Sequence, residues 1–165
     1  MEILTSENLG HQAEFQLKDN LKLIKTLKRT KPKSLDKDVS TWHDKAFETI
    51  DCLQCANCCK TTSPRFQQVD IQRLAKHLKM KPSAFINSYL HLDEDGDYVF
   101  PKPPCPFLLE DNSCLVYNHR PTACREYPHT DRKRFVQILD ISLQNTKICP
   151  AVFGIFERLK EKYMG

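Results

Sequence analysis

Apolar residues recur at helical spacing near the start of the chain. Leu17, Leu21, Ile24 and Leu27 fall three or four apart, which predicts an amphipathic helix over about 8–29. Pro32 cannot continue it, so Lys31-Pro32-Lys33-Ser34 marks its end. A second helix is expected from Ser40 or Thr41, either of which can cap it, to about Ile50, with Trp42, Ala46, Phe47 and Ile50 on one face. Further on, Val69 to Leu78 turns Ile71, Leu74, Ala75 and Leu78 inward. Lys81-Pro82-Ser83 breaks that helix and starts another, Ala84 to Leu90, whose Phe85, Ile86 and Tyr89 pack back. The two form a helical hairpin.

The middle of the chain changes period. Tyr98-Val99-Phe100 reads as a short strand, and Phe107-Leu108-Leu109 with Leu115-Val116-Tyr117 reads as a hairpin around Glu110-Asp111-Asn112-Ser113. Asp93-Glu94-Asp95-Gly96-Asp97 is an acidic turn. It has the look of a calcium loop, but no glutamate closes it and Pro101 and Pro103 intervene. Arg134 to Leu143 fits neither period. Pro150, at a first helical position, opens a last helix to about Tyr163 with Val152, Phe153, Phe156 and Leu159 inward. The expected class is mainly α with a minor β-hairpin, in a small irregular domain. An N-terminal lysine-rich helix and linker over 1–40 precedes a second region over 41–165.

Composition adds chemistry to this outline. The chain has 165 residues, enough for one domain with an appendage. Its eight cysteines are about 5% of the residues, below the density of a short secreted disulfide scaffold. No signal peptide or membrane-length apolar run is read, so a reducing cytoplasm is the expected compartment. There, clustered cysteines bind metal or carry out redox chemistry more often than they pair.

The cysteines are patterned. Cys52, Cys55, Cys58 and Cys59 fall in one short run, and Cys105, Cys114, Cys124 and Cys149 follow singly. A Cys-x-x-Cys turn directs two sulfurs toward one point, which is the geometry of metal sites. A thioredoxin-like pair at Cys52 and Cys55 would want a βαβ context, and helices surround this one. Cys52, Cys55 and Cys58 match the first three ligands of a bacterial ferredoxin run, with Cys105-Pro106 or Cys149-Pro150 able to complete a 4Fe-4S cluster. Cys52 and Cys55 with two later cysteines would equally make a tetrathiolate zinc site. Neighbouring side chains at Cys58 and Cys59 diverge, so the run feeds one or two metal sites. Lys60, Arg120 and Arg125 are placed to offset thiolate charge as outer partners, and His119 and His129 are alternative ligands.

The formal charge of +4 is no argument for nucleic acid. Eight thiolates around two divalent ions carry a charge that cancels it. The first helix and its end do carry Lys18, Lys22, Lys25, Lys28, Arg29, Lys31, Lys33 and Lys37, a patch for RNA, DNA, acidic lipid or a protein partner. No aromatic residue interleaves them to stack on bases, so a solvated face is the simpler reading.

In order, the chain contains Cys52-x2-Cys55-x2-Cys58-Cys59-Lys60, Val69-Asp70-Ile71, Ala84-Phe85-Ile86 and Cys105-Pro106-Phe107-Leu108. Cys114-Leu115-Val116-Tyr117-x2-Arg120-Pro121-x2-Cys124-Arg125-x-Tyr127-Pro128 and Cys149-Pro150 complete the pattern. This resembles the bacterial cysteine-cluster family of YkgJ type, a zinc- or iron-chelating domain. The resemblance implies metal chelation by the eight cysteines and no established reaction. The flagellin lysine methylase group has a similar cluster, which implies an iron–sulfur enzyme or enzyme subunit as one alternative; a zinc-containing nucleic-acid-binding protein is another. A glycine common between the second and third cysteines is replaced here by Ala56-Asn57, and asparagine is the residue expected to take the left-handed turn.

Overall fold

The computed structural model describes residues 6–165. The opening residues 1–5, on which the expectation of no leader rests, lie outside the described residues. In chain order the elements are α1 (Ser6–Phe15), α2 (Leu17–Thr30), α3 (Leu35–Phe47), α4 (Cys52–Cys55), α5 (Asn57–Thr61), α6 (Gln68–His77) and α7 (Pro82–Tyr89). The strands β1 (His91–Leu92) and β2 (Tyr98–Val99) follow, then α8 (Thr122–Glu126), α9 (Leu139–Asn145) and α10 (Pro150–Met164). The chain is mainly helical with one small antiparallel sheet. It divides into two compact units, residues 1–51 with 128–165, and residues 52–127. The division falls after Asp51 and Tyr127 rather than at 40/41. Among the described residues no helix is long and apolar enough to cross a membrane.

The first unit packs α10 against α2 and α3, with α9 beside α2. Pro150 begins α10 as its fixed φ favours, and Val152, Ile155, Phe156 and Leu159 are fully buried. The single helix expected over 8–29 is two, α1 and α2, separated at Gln16. The buried stripe of α2 is Asn20, Leu23, Ile24 and Leu27. Leu21, expected inward, is exposed, because at 100° per residue it sits about 100° from the middle of that stripe. Lys31 ends α2 in the left-handed conformation, its amide bonded to the Leu27 carbonyl, just before Pro32. α3 starts a turn earlier than Ser40 because Leu35 and Val39 extend its apolar face.

The ambiguous stretch after Arg134 becomes helical for a polar reason. The Asp36 carboxylate accepts the amides of Arg134 at 2.7 Å and Phe135 at 2.9 Å. Those bonds start the 3-10 turn Phe135–Ile138, which runs into α9.

In the second unit the expected hairpin of helices is α6 and α7, with Ile71, Leu74, Ala75 and Phe85 buried. Gln67 and Asp70 form a reciprocal capping box at the start of α6. Phe66, Phe100, Phe107, Leu90 and Val116 complete this core, and Phe85 lies within 6.5 Å of the Phe66 and Phe107 rings. The paired strands lie at 91–92 and 98–99 instead of 107–117. Asp93 sets that turn: its Oδ1 accepts the amides of Asp95 and Asp97 at 3.0 and 2.9 Å, and Gly96 supplies φ +81°. Around 107–117 one bridge forms, Leu108 to Cys114.

At the other end of the first unit, Asp38 accepts bonds from Lys162 Nζ at 2.7 Å and Tyr163 Oη at 2.5 Å. Burial raises the Asp38 carboxyl, but the bonds from Lys162, Tyr163 and Ser34 outweigh it and hold it below its ordinary 3.8. A carboxyl lowered on folding stabilises fully above that value, and the contribution disappears as pH falls through the lowered one. Asp38→Ala is expected to cost about 1 kcal/mol at pH 7, since the Lys162 end is open to water. Urea denaturation should show the gap from wild type closing on acidification to about pH 3.

Candidate metal centre

The cysteine run folds as two short helical turns. α4 carries Cys52 and Cys55, and α5 carries Cys58 and Cys59. Between them the chain turns through the left-handed region at Ala56, φ +47° and ψ +16°. The turn expected of Asn57 is therefore made by its neighbour; Asn57 is already the first residue of α5 and is buried. Alanine tolerates this conformation only at a cost of about 1–2 kcal/mol.

Three other segments come to α5. The Cys105 amide donates to the Cys59 carbonyl at 2.8 Å, fixing the strand-like segment after Pro104 to the end of the run. Cys114 lies on the 108–114 bridge, held by Leu115 N to Phe107 O at 2.9 Å. Cys105 and Cys114 both pack against the second unit's apolar core. Cys124 sits in α8, its amide bonded to the Pro121 carbonyl. Asn112 Nδ2 donates to the Gln54 carbonyl at 3.0 Å and ties the 109–113 turn to α4.

Cys105, Cys114 and Cys124 are close enough to Cys59 for its charge to oppose their ionisation. Burial first, then the charges of Cys59, Cys105 and Cys114, push the Cys124 thiol up to about 12. Burial, with Cys59 and Cys114, pushes Cys105 up to about 11. Cys114 is raised by burial and by Cys59. Cys59 alone is lowered, to about 7, chiefly by a hydrogen bond from Cys58 and further by the Arg120 charge.

Opposing this repulsion, backbone amides aim at two of the sulfurs. Phe107 and Leu108 donate to Cys105, and Val116 to Cys114. Such N–H to sulfur bonds favour the thiolate and orient it. Among the expected cationic partners, Arg120 acts on Cys59, Cys114 and Cys124. Its guanidinium lies 3.8 Å from the Tyr117 ring centre, and its Nε donates to the Tyr117 carbonyl at 2.8 Å. Lys60 and Arg125 are exposed, on α5 and α8.

The remaining candidates are distributed differently. Cys52 is exposed and Cys55 half-buried on α4, outside this group of four. Cys149 caps α10 and is buried in the first unit. His119 stacks on His77 with ring centres 3.9 Å apart, and His129 belongs to the first unit. All eight cysteines are thiols. Among the described residues no three His, Cys, Asp or Glu side chains are spaced to hold a metal ion. The donor set nonetheless fits one chemically. Soft thiolates suit zinc and iron, and a divalent cation offsets both the burial and the neighbouring thiolate charge that raise three of these thiols.

A family model for CxxCxxCC, "Putative zinc- or iron-chelating domain", matches residues 51–150. The chain belongs to the CxxCxxCC family. The match spans the whole second unit, so every element that carries these four thiols of this CxxCxxCC chain lies inside it. No curated protein and no solved structure matches the chain.

Sequence reasoning missed the group that anchors α8. Asp70 is fully buried and accepts from Gln67 N at 2.9 Å, Thr122 N at 3.0 Å, Thr122 Oγ1 at 3.0 Å and Arg73 Nη2 at 2.7 Å. Burial raises its carboxyl, but these four donors prevail and hold it below the ordinary range. The available signal was a carboxylate two residues inside a helix of apolar inward positions, in the capping-box place after Gln67.

Because Ala56 already strains the turn, a β-branched residue there should be worse. Ala56→Val is expected to lower stability by about 2 kcal/mol, with Ala56→Gly near wild type. Guanidinium denaturation of the two variants under reducing conditions measures the difference.

Proposed function

We propose that the protein chelates a zinc or iron ion through Cys59, Cys105, Cys114 and Cys124, and that the ion serves to hold the second unit together. The reading rests on one observation: the Cys105 amide bonds the Cys59 carbonyl at 2.8 Å, and the Cys59 charge reaches Cys105, Cys114 and Cys124, thiols carried by three other segments. The amides directed at Cys105 and Cys114 support it, as does the family description. Arg120 serves as the cationic partner that offsets the excess thiolate charge.

A structural role suits the region. Between 101 and 127 the buried residues are Phe107, Val116 and Pro121, and regular structure is limited to a bridge and short helical turns. So few buried side chains add little stability to this region, whereas a structural zinc in small peptides supplies on the order of 10 kcal/mol. The ion, when bound, supplies the positive charge that lets all four sulfurs remain thiolates.

Anaerobic purification followed by element analysis should find zinc or iron bound to the chain, with absorbance near 400 nm and acid-labile sulfide marking an iron–sulfur centre. Serine at Cys59, Cys105, Cys114 or Cys124 should each remove most of the metal, and Cys52→Ser should retain it. A stable, folded wild-type protein free of metal would overturn the proposal, as would retention of metal by the four serine variants.

A further inference from the structure

The polar network around Asp70 has a consequence for the proposed centre, on which this inference rests. α6 carries no cysteine, yet its Asp70 and Arg73 reach across to the segment that does. Asp70 Oδ1 holds both the amide and the hydroxyl of Thr122, the first residue of α8. Arg73 Nη2 bonds Asp70 Oδ1 at 2.7 Å and also donates to the Arg120 carbonyl at 2.8 Å. The two backbone groups that flank Pro121 are thereby fixed to α6 from both sides.

Two groups that face the thiols depend on that clamp. Downstream, Cys124 lies two residues past Thr122 in a five-residue helix, too short to define its own position. Upstream, Arg120 brings its charge to Cys59, Cys114 and Cys124. The α6 end is rigid, because Asp70 Oδ2 is also locked to the Gln67 amide and Ile71, Leu74 and Ala75 are fully buried. We propose that Asp70 is the positioning residue of the metal centre, setting Cys124 and Arg120 together through Thr122 and Arg73.

Asparagine at position 70 keeps the volume but loses an acceptor and the charge that holds Arg73. Valine at 122 keeps the amide bond to Asp70 and loses only the hydroxyl, whereas serine keeps both. The test is a titration of the full chain, stripped of metal under reducing conditions, with cobalt(II) against a chelator of known affinity. It follows the sulfur-to-cobalt charge-transfer and d–d bands, whose positions report ligand geometry and do not change merely because a fold is less stable.

Asp70→Asn is expected to weaken cobalt binding by about 10- to 100-fold and to shift the d–d bands. Thr122→Val is expected to weaken it by about 3- to 10-fold, the equivalent of one hydrogen bond, and Thr122→Ser should match wild type. Should Asp70→Asn fail to fold, the Thr122 pair still decides, since neither change leaves the buried Asp70 carboxylate without donors. Wild-type affinity and bands in both Asp70→Asn and Thr122→Val would overturn the positioning role while leaving the metal centre intact. The absence of any thiolate–cobalt band in wild type would instead overturn the metal reading, and this one with it.

Discussion

Thiols that share a partly buried place resist becoming thiolates together, and most of the second unit can be understood from that constraint. Burial first, and then the charge of each neighbouring sulfur, puts Cys105 and Cys124 far above the ordinary cysteine range. A chain gains nothing in apolar burial from such an arrangement. Leucines at the same positions would pack without charge repulsion. The gathering therefore makes sense when a cation is part of the folded state, and the amides directed at Cys105 and Cys114 already favour the charged form.

Two kinds of support bring the thiols to one place. Cys105 and Cys114 are carried by residues that pack on the aromatic core of Phe66, Phe85, Phe100 and Phe107, so apolar burial sets them. Cys124 has no such anchor, and its position is set by hydrogen bonds to a buried carboxylate on α6. The difference matters physically. An apolar contact is tolerant of small shifts, whereas four donors converging on one carboxylate specify distance and direction together. If Cys124 is a ligand of the proposed centre, it gains from the second kind of support.

Much of this was legible along the chain, and the gaps have identifiable causes. Helical periodicity located α2, α6, α7 and α10, and the prolines at 82 and 150 marked helix starts, because both signals act within a turn or two. Spacing singled out the cysteines. What escaped depends on partners remote in sequence: Asp70 meets Thr122 across 52 residues, and Asp36 meets Phe135 across 99. The strand expected at Tyr98-Val99 and the turn at 93–97 are present, but the partner strand at 91–92 is two residues long, held by the Asp93 carboxylate in the turn and too short for apolar alternation to register. The left-handed turn fell on Ala56 against propensity, which tertiary constraint outweighs when the residues on both sides are committed to helical turns.

The adjacent pair Cys58-Cys59 separates the two ways of reading the cysteine run. The ferredoxin-like spacing uses Cys52, Cys55 and Cys58, but the thiol that faces the three remote cysteines is Cys59. A hydrogen bond from Cys58 is the chief cause that lowers the Cys59 thiol. Four thiolates around one divalent ion leave a double negative charge. The Cys58 donor, the Phe107, Leu108 and Val116 amides and the Arg120 guanidinium are the groups that spread it. In the proposed centre, losing any of these donors would concentrate charge on sulfur, favour proton uptake and weaken the hold on the ion.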